Sequence, residues 1–325
     1  MAKRYKRKGM KKMEPAVMTI TTNTPTVAPG ATGTFYCDLS QMASLINRRF
    51  YRQGINWAVA GIKVLTAPNF AGALSVKKIP NTWVAFQAYK KAFQAWNRQQ
   101  MEAVEESGAE TAVAAFRDFK IFADIEHVAA SYVNNLLPLD GQDPAQAYLV
   151  GEWEPSQIVI PNAGAPGVND ERFLHMAGIN FNNPGASRGI IEGYADSRAF
   201  PQSPDPVSPA IDSTNNWMAQ MFDVGDNISE VLQNATDHND DLPYPQIDYP
   251  GGQTQAPTLQ IHDIVRISST TIGGQSRVKG GNFPCGLIRF DWAPAATNET
   301  SVNLALQIDL VPGSHRGYMC ESMLE

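Results

Sequence analysis

Apolar and polar positions follow two different periods along this chain, and the change between them marks its organisation. Residues 54–65, GINWAVAGIKVL, alternate and then run apolar, which predicts a strand buried on at least one face. Just upstream, Thr34 to Leu39 is β-prone and leads into polar, helix-compatible sequence, and LSVKKI (74–79) reads as a further strand. From Asn81 the period becomes helical, with Trp83, Phe86, Ala88, Tyr89, Phe93 and Trp96 on one stripe. Asn81 or Thr82 caps this helix, Ser107-Gly108 ends it after about Glu106, and a second helix over 109–118 follows. The aromatic stripe is read as core.

After Lys120 short β-like runs separated by Pro, Gly and Asn turns dominate: KIFADIEHVAA (120–130), QAYLVGEWE (146–154), SQIVIP (156–161), FLHMAGINF (173–181) and RGIIEGYA (188–195). Residues 200–216 and 236–257 are Pro-rich irregular excursions, with a short helix expected over 215–223 between them. The C-terminal part carries the clearest alternation, at 261–273, 283–294 and 301–313, and AATNETS is expected to join the last two strands as a hairpin. At the other end, residues 13–33 are Thr- and Pro-rich and read as an extended linker or edge strand. No βαβ alternation and no internal repeat is visible. The expected fold class is therefore all-β, an antiparallel jelly-roll sandwich with a helical insertion over about 82–118 and long loops. The expected organisation is a basic arm (1–12), the linker (13–33) and a single domain over 34–325.

Composition supports that picture. The chain has 325 residues, 43% of them hydrophobic, with 22 Pro and 25 Gly, enough for a substantial core and many turns. Cys37, Cys285 and Cys320 are far apart and odd in number, which fits neither a disulfide framework nor a zinc site but a reducing compartment. No apolar run reaches membrane-span length and no apolar stretch follows the charged start, so neither a membrane partner nor a secretory signal is expected. Without a secretion route the sequons at Asn227, Asn234 and Asn298 read as chance.

Charge changes the picture more. Lys3, Arg4, Lys6, Arg7, Lys8, Lys11 and Lys12 crowd the first twelve residues, which hold no Asp or Glu. Seven of 26 Lys and Arg lie there, so 19 remain against 32 acidic residues, a net charge of −13 for the rest. Such a segment is expected to be disordered alone and to meet a polyanion, because each cation that neutralises a phosphate releases counterions. It equally suits a nuclear-import signal read by host import machinery. A second basic cluster, Arg48, Arg49 and Arg52, interleaves with Phe50 and Tyr51; it suits phosphate contact with base stacking, or a subunit interface.

Other chemistry is sparse. None of the nucleotide-binding, hydrolase or zinc-protease signatures occurs. His238 and Asp240 form an HxD with His315 as distant partner, the pattern of an Fe(II) oxygenase, but in an acidic loop rather than on a strand. Asp237, Asp240 and Asp241, with Asp248 nearby, are the candidate Ca²⁺ ligands, although the Gly and terminal Glu of an EF-hand are missing. Glu152 and Glu154 flank Trp153 as a conceivable acid/base pair, with a solvated strand face as the plainer reading. Cys37 is read as core. No catalytic residue, cofactor or firm metal site is expected.

At DLSQMASLINRRFYRQGINWAVAGIKV (38–64) the chain resembles capsid proteins of small circular, Rep-encoding single-stranded DNA viruses. The shared pattern is a strand ending in DLS, the NRRFYRQG segment and then an aromatic strand, preceded by a short Lys/Arg arm and a Thr/Pro linker. The resemblance implies a single jelly roll, icosahedral self-assembly and an inward basic arm contacting a single-stranded DNA genome. It also implies a virion protein that passes through host nucleus or cytoplasm before assembly, and no enzyme. Two departures stand out. Many relatives carry a more basic arm: a minimal shell of about 60 copies would hold only roughly 420 arm charges here. The helical insertion is also unusual for the simplest jelly rolls. A small RNA-virus capsid protein, a nucleic-acid-binding protein without a shell, and a metal-dependent β-sandwich enzyme remain as alternatives.

Overall fold

The computed structural model describes residues 15–108, 118–141, 146–161, 167–179, 187–199, 229–231, 233–234, 258–268 and 274–324. The strands are β1 (Thr19–Asn23), β2 (Gly33–Asp38), β3 (Ile55–Leu65), β4 (Gly72–Lys78), β5 (Gln157–Pro161), β6 (Asn169–His175), β7 (Ser187–Gly189), β8 (Gln260–Ile267), β9 (Gln275–Phe283), β10 (Leu287–Pro294), β11 (Ala305–Leu310), β12 (Pro312–Gly313), β13 (Gly317–Tyr318) and β14 (Cys320–Ser322). The helices are α1 (Leu39–Asn47), α2 (Trp83–Ser107), α3 (Ile125–Ala130) and α4 (Ile190–Ala199).

Two antiparallel sheets form the body. One has β1, β11, β3 and β9 side by side, with β14 pairing the start of β3; the other has the order β2-β10-β4-β8. Alternation builds both. On β10 the buried Ile288, Phe290 and Trp292 face inward while Arg289 and Asp291 face out. Register brings Phe290 opposite Phe35 and Val76, and Ile308 opposite Ile20 and Ile62. These side chains, with Trp57, Val64, Leu74 and Leu306, form one continuous core between the sheets. Burying each stabilises by about 1.5–3 kcal/mol, the main force holding the sheets face to face.

The helical insertion has the expected anatomy. Thr82 caps α2 through the Ala85 amide, and Gly108, at φ +65°, ends it in the left-handed conformation. Its buried face (Val84, Ala85, Ala88, Tyr89) packs with Phe119, Ile121, Leu174 and Met176 into a second core that also takes Cys285 and Leu287. The expected second helix over 109–118 lies almost wholly outside the described residues, as do the excursions at 200–216 and the helix at 215–223. A small three-stranded sheet, β5-β6-β7, lies beyond this insertion, with β6 and β7 parallel.

Several sequence expectations are corrected. KIFADIEHVAA is not a strand: Asp124 accepts from the His127 amide at 2.8 Å and starts α3, a cap that outweighs the run's β-like composition. RGIIEGYA gives the last two residues of β7, Arg188 and Gly189, and then turns helical as α4. QAYLVGEWE contributes one isolated bridge, Ala147 to Leu139, and no strand. Residues 295–304 do not close a hairpin, because β10 pairs with β2 and β4 while β11 pairs with β1 and β3. The connection crosses from one sheet to the other, pinned by Asn298, whose side chain bonds both N–H and C=O of Ala71 at 3.0 and 2.8 Å. β9 was not anticipated at all. Of linker or edge strand, residues 19–23 are the edge strand, paired with β11.

Candidate nucleic-acid interface

The Arg48–Arg52 segment is built by the end of α1. Asp38 caps that helix, accepting from the amides of Ser40 and Gln41, and also accepts from Gln53 Nε2 at 2.9 Å and Trp153 Nε1 at 3.2 Å. The carboxylate is fully buried with four donors and no cation bonded to it. Burial pushes it up to about 6, against the lowering effect of those hydrogen bonds. After the nine residues of α1, Arg48, at φ +51°, closes the helix in the left-handed conformation. The chain then turns back so that Gln53 returns to Asp38. Asp38 thus ties the start of α1 to the residue that follows the basic segment.

Within the segment the charges and the rings part company. Arg48 and Arg52 are exposed and Arg49 is half-buried, whereas Tyr51 is fully buried. The Tyr51 hydroxyl donates to the Arg316 carbonyl at 3.0 Å, and its ring packs against Trp57 and Tyr318. Phe50 leans on Trp153 with ring centres 6.0 Å apart. Tyr51 is therefore core and is closed to base stacking; the interleaved pattern conceals a split between solvent-facing cations and inward-facing rings.

The segment also holds the root of the arm. Arg49 Nη1 donates to the Pro15 carbonyl at 3.1 Å, and the Val17 amide donates to Asn47 Oδ1 at 3.0 Å. Tyr318 Oη donates to the Val17 carbonyl at 2.6 Å and accepts from Asn47 Nδ2 at 2.7 Å. Burial raises the Tyr318 hydroxyl to about 12, so it stays a donor at neutral pH. Lys12 is three residues from Pro15 in sequence. Of the three arginines, Arg49 therefore touches the described end of the chain at Pro15, and Arg48 and Arg52 are its near neighbours in sequence; Lys3, Arg4, Lys6, Arg7, Lys8, Lys11 and Lys12 themselves lie outside the described residues.

The other candidates do not gather into a site. Asp237, Asp240, Asp241 and His238 lie outside the described residues. Among the described residues no three His, Cys, Asp or Glu cluster as metal ligands. Glu152 and Glu154 sit in a loop and are both exposed, with Trp153 buried between them, so the shared strand face is absent. Cys37 is core, its thiol pushed well up by burial. His127 and His175 are buried, and burial lowers both to about 4; His127 stacks on Tyr36 with ring centres 4.3 Å apart. Arg289 ties the start of α3 to the outer face of the β2-β10-β4 sheet, bonding Asp124 and Glu126 at 2.8 Å and Asp291 at 2.9 Å. Sequence reading missed that network and the buried Asp38 hub, because neither leaves a local motif.

Neither protein-family models, curated proteins nor solved structures give a match to this chain. No helix among the described residues is long and apolar enough to cross a membrane.

Proposed function

We propose that the chain is a viral capsid subunit, a jelly roll that self-assembles into an icosahedral shell around a single-stranded DNA genome. In this reading the arm and the Arg48–Arg52 segment face the genome. The observation that carries it is the bond between Arg49 and Pro15, which sets the root of the arm against the second basic segment. One basic tail is an ambiguous signal; a tail whose root meets a second basic segment, on a body that is otherwise acidic, favours a phosphate-bearing partner.

Strand order supports the jelly-roll part. Take the eight strands of the two large sheets in chain order, β1, β2, β3, β4, β8, β9, β10 and β11. The first pairs with the eighth, the second with the seventh, the third with the sixth and the fourth with the fifth. That nested pairing is what two interleaved Greek keys produce. The fold alone does not name a function, since lectins and cupins are also jelly rolls, so the reading leans on the basic segments.

Sedimentation of the expressed chain with nuclease treatment tests the reading. A fast, uniform species carrying nuclease-resistant DNA is the expected result. Protected RNA would move the chain to a small RNA virus. A stable monomer at high concentration and low salt contradicts a shell, and would leave a nucleic-acid-binding protein that does not assemble.

A further inference from the structure

Arg316 sits where an arginine is strained. It and Gly317 are the central residues of the tight turn from His315 to Tyr318, closed by paired backbone bonds of 2.9 and 3.0 Å. Both have positive φ, +49° at Arg316 and +104° at Gly317. That turn type wants Asn, Asp or Gly in the first of these places, and a side chain such as Arg there costs roughly 1–2 kcal/mol. Arg48 repeats the pattern at the end of α1, where Gly or Asn is the usual left-handed residue. Among the described residues five non-glycines have positive φ, and the two arginines of that set flank the same short segment. Strain kept at a position points to what its side chain does there.

What Arg316 faces is a cavity of about 350 Å³ between the 50–55 segment and the His315–Tyr318 turn. Arg52, His315, Arg316, Phe50 and Ser322 are among the residues that line it, and none of the described lining residues is a carboxylate. A guanidinium carries five N–H donors; the Phe50 carbonyl accepts from Nη1 of Arg316 and so fixes the plane of the group at the mouth. Two guanidiniums, an imidazole and a hydroxyl around one opening match the oxygens of a phosphate, and Arg suits that geometry better than Lys. Tyr51 and Tyr318 couple the turn to the root of the arm through the Arg316 and Val17 carbonyls.

We propose that this cavity is a nucleotide subsite that grips one phosphate of a single strand without reading its base. The inference rests on the nucleic-acid reading above and adds a fixed seat to it. The arm supplies diffuse attraction; the cavity supplies one registered contact per subunit.

The test uses the full chain and a five-residue oligothymidylate, measured by calorimetry, with inorganic phosphate and unphosphorylated thymidine as competitors. Arg316→Asn is the informative variant, because Asn relieves the turn while removing the cation. Its melting temperature should equal or exceed that of the parent while oligothymidylate binding weakens about tenfold or more, the scale of a lost charge-assisted hydrogen bond. Arg52→Gln should weaken the same probe, and thymidine should compete poorly. Unchanged oligothymidylate binding in Arg316→Asn would overturn the subsite, and the nucleic-acid reading would survive if long single strands still bound. Equal competition by inorganic phosphate would also overturn it, as a general anion hole. A parent chain that binds neither short nor long strands would remove the subsite and the reading together.

Discussion

Arg49 holds the carbonyl of Pro15 at 3.1 Å, and through that bond the root of the basic arm is fixed against the segment that follows α1. The position of Pro15 is therefore set by the folded body. Arg49→Ala should weaken single-stranded DNA binding about equally for all sequences. It should also reduce the slope of log affinity against log salt by about one phosphate contact. Fluorescence anisotropy across a salt series measures both; an unchanged slope would show that Arg49 serves only to hold Pro15.

Removing residues 1–12 should leave particles intact but poorer in nucleic acid, as read from the 260/280 nm absorbance ratio of purified particles. The expectation follows from the proposed shell, in which the folded body rather than the arm makes the contacts between subunits. Loss of assembly on deletion would give the arm a structural role instead.

Much of the body was legible in the sequence, and the exceptions have physical causes. Helix α2 was readable because its aromatic stripe, its Thr82 cap and its Gly108 terminator agree. Strands β3, β4 and β10 were readable because their inward positions alternate with polar ones. β9 was not: of its nine residues, QSRVKGGNF, only Val278 and Phe283 are buried apolar groups, so no period shows. The expected hairpin between β10 and β11 failed because neighbours in sequence usually pair, and here they belong to opposite sheets. At the site, Arg48, Arg49 and Arg52 were visible as a cluster. The burial of Tyr51 was not, since a ring beside an arginine looks the same whether it stacks on a base or on Trp57. The strain at Arg316 needs backbone angles to be seen.

Asp38 makes stability depend on pH in a defined direction. Its folded value, about 6, lies above the ordinary 3.8. The stability it contributes is therefore fully present below 3.8 and is lost as pH rises through 6. In urea unfolding, the parent's stability minus that of Asp38→Asn should fall by something on the order of 3 kcal/mol between pH 3.5 and 7. A difference that is flat with pH, or that rises, would mean the carboxylate is better compensated than its four donors suggest.

Gly54 couples the basic segment to the helical insertion. Its φ is +84°, and a Cβ there would run into the Tyr89 ring and hydroxyl of α2. Gly54→Ala should destabilise the fold by about 2–4 kcal/mol, combining left-handed strain with overpacking. Thermal unfolding checks this, and a melting temperature equal to the parent's would show that α2 yields at no cost.

The central claim is that the face bearing Pro15, Arg48, Arg49 and Arg52 looks inward in a shell. Electron cryomicroscopy of particles formed by the expressed chain tests it most directly. The account predicts uniform spherical particles with Pro15 at the inner radius and nucleic-acid density beside Arg49. Particles with Pro15 on the outer surface, or no particles at any salt concentration, would contradict it.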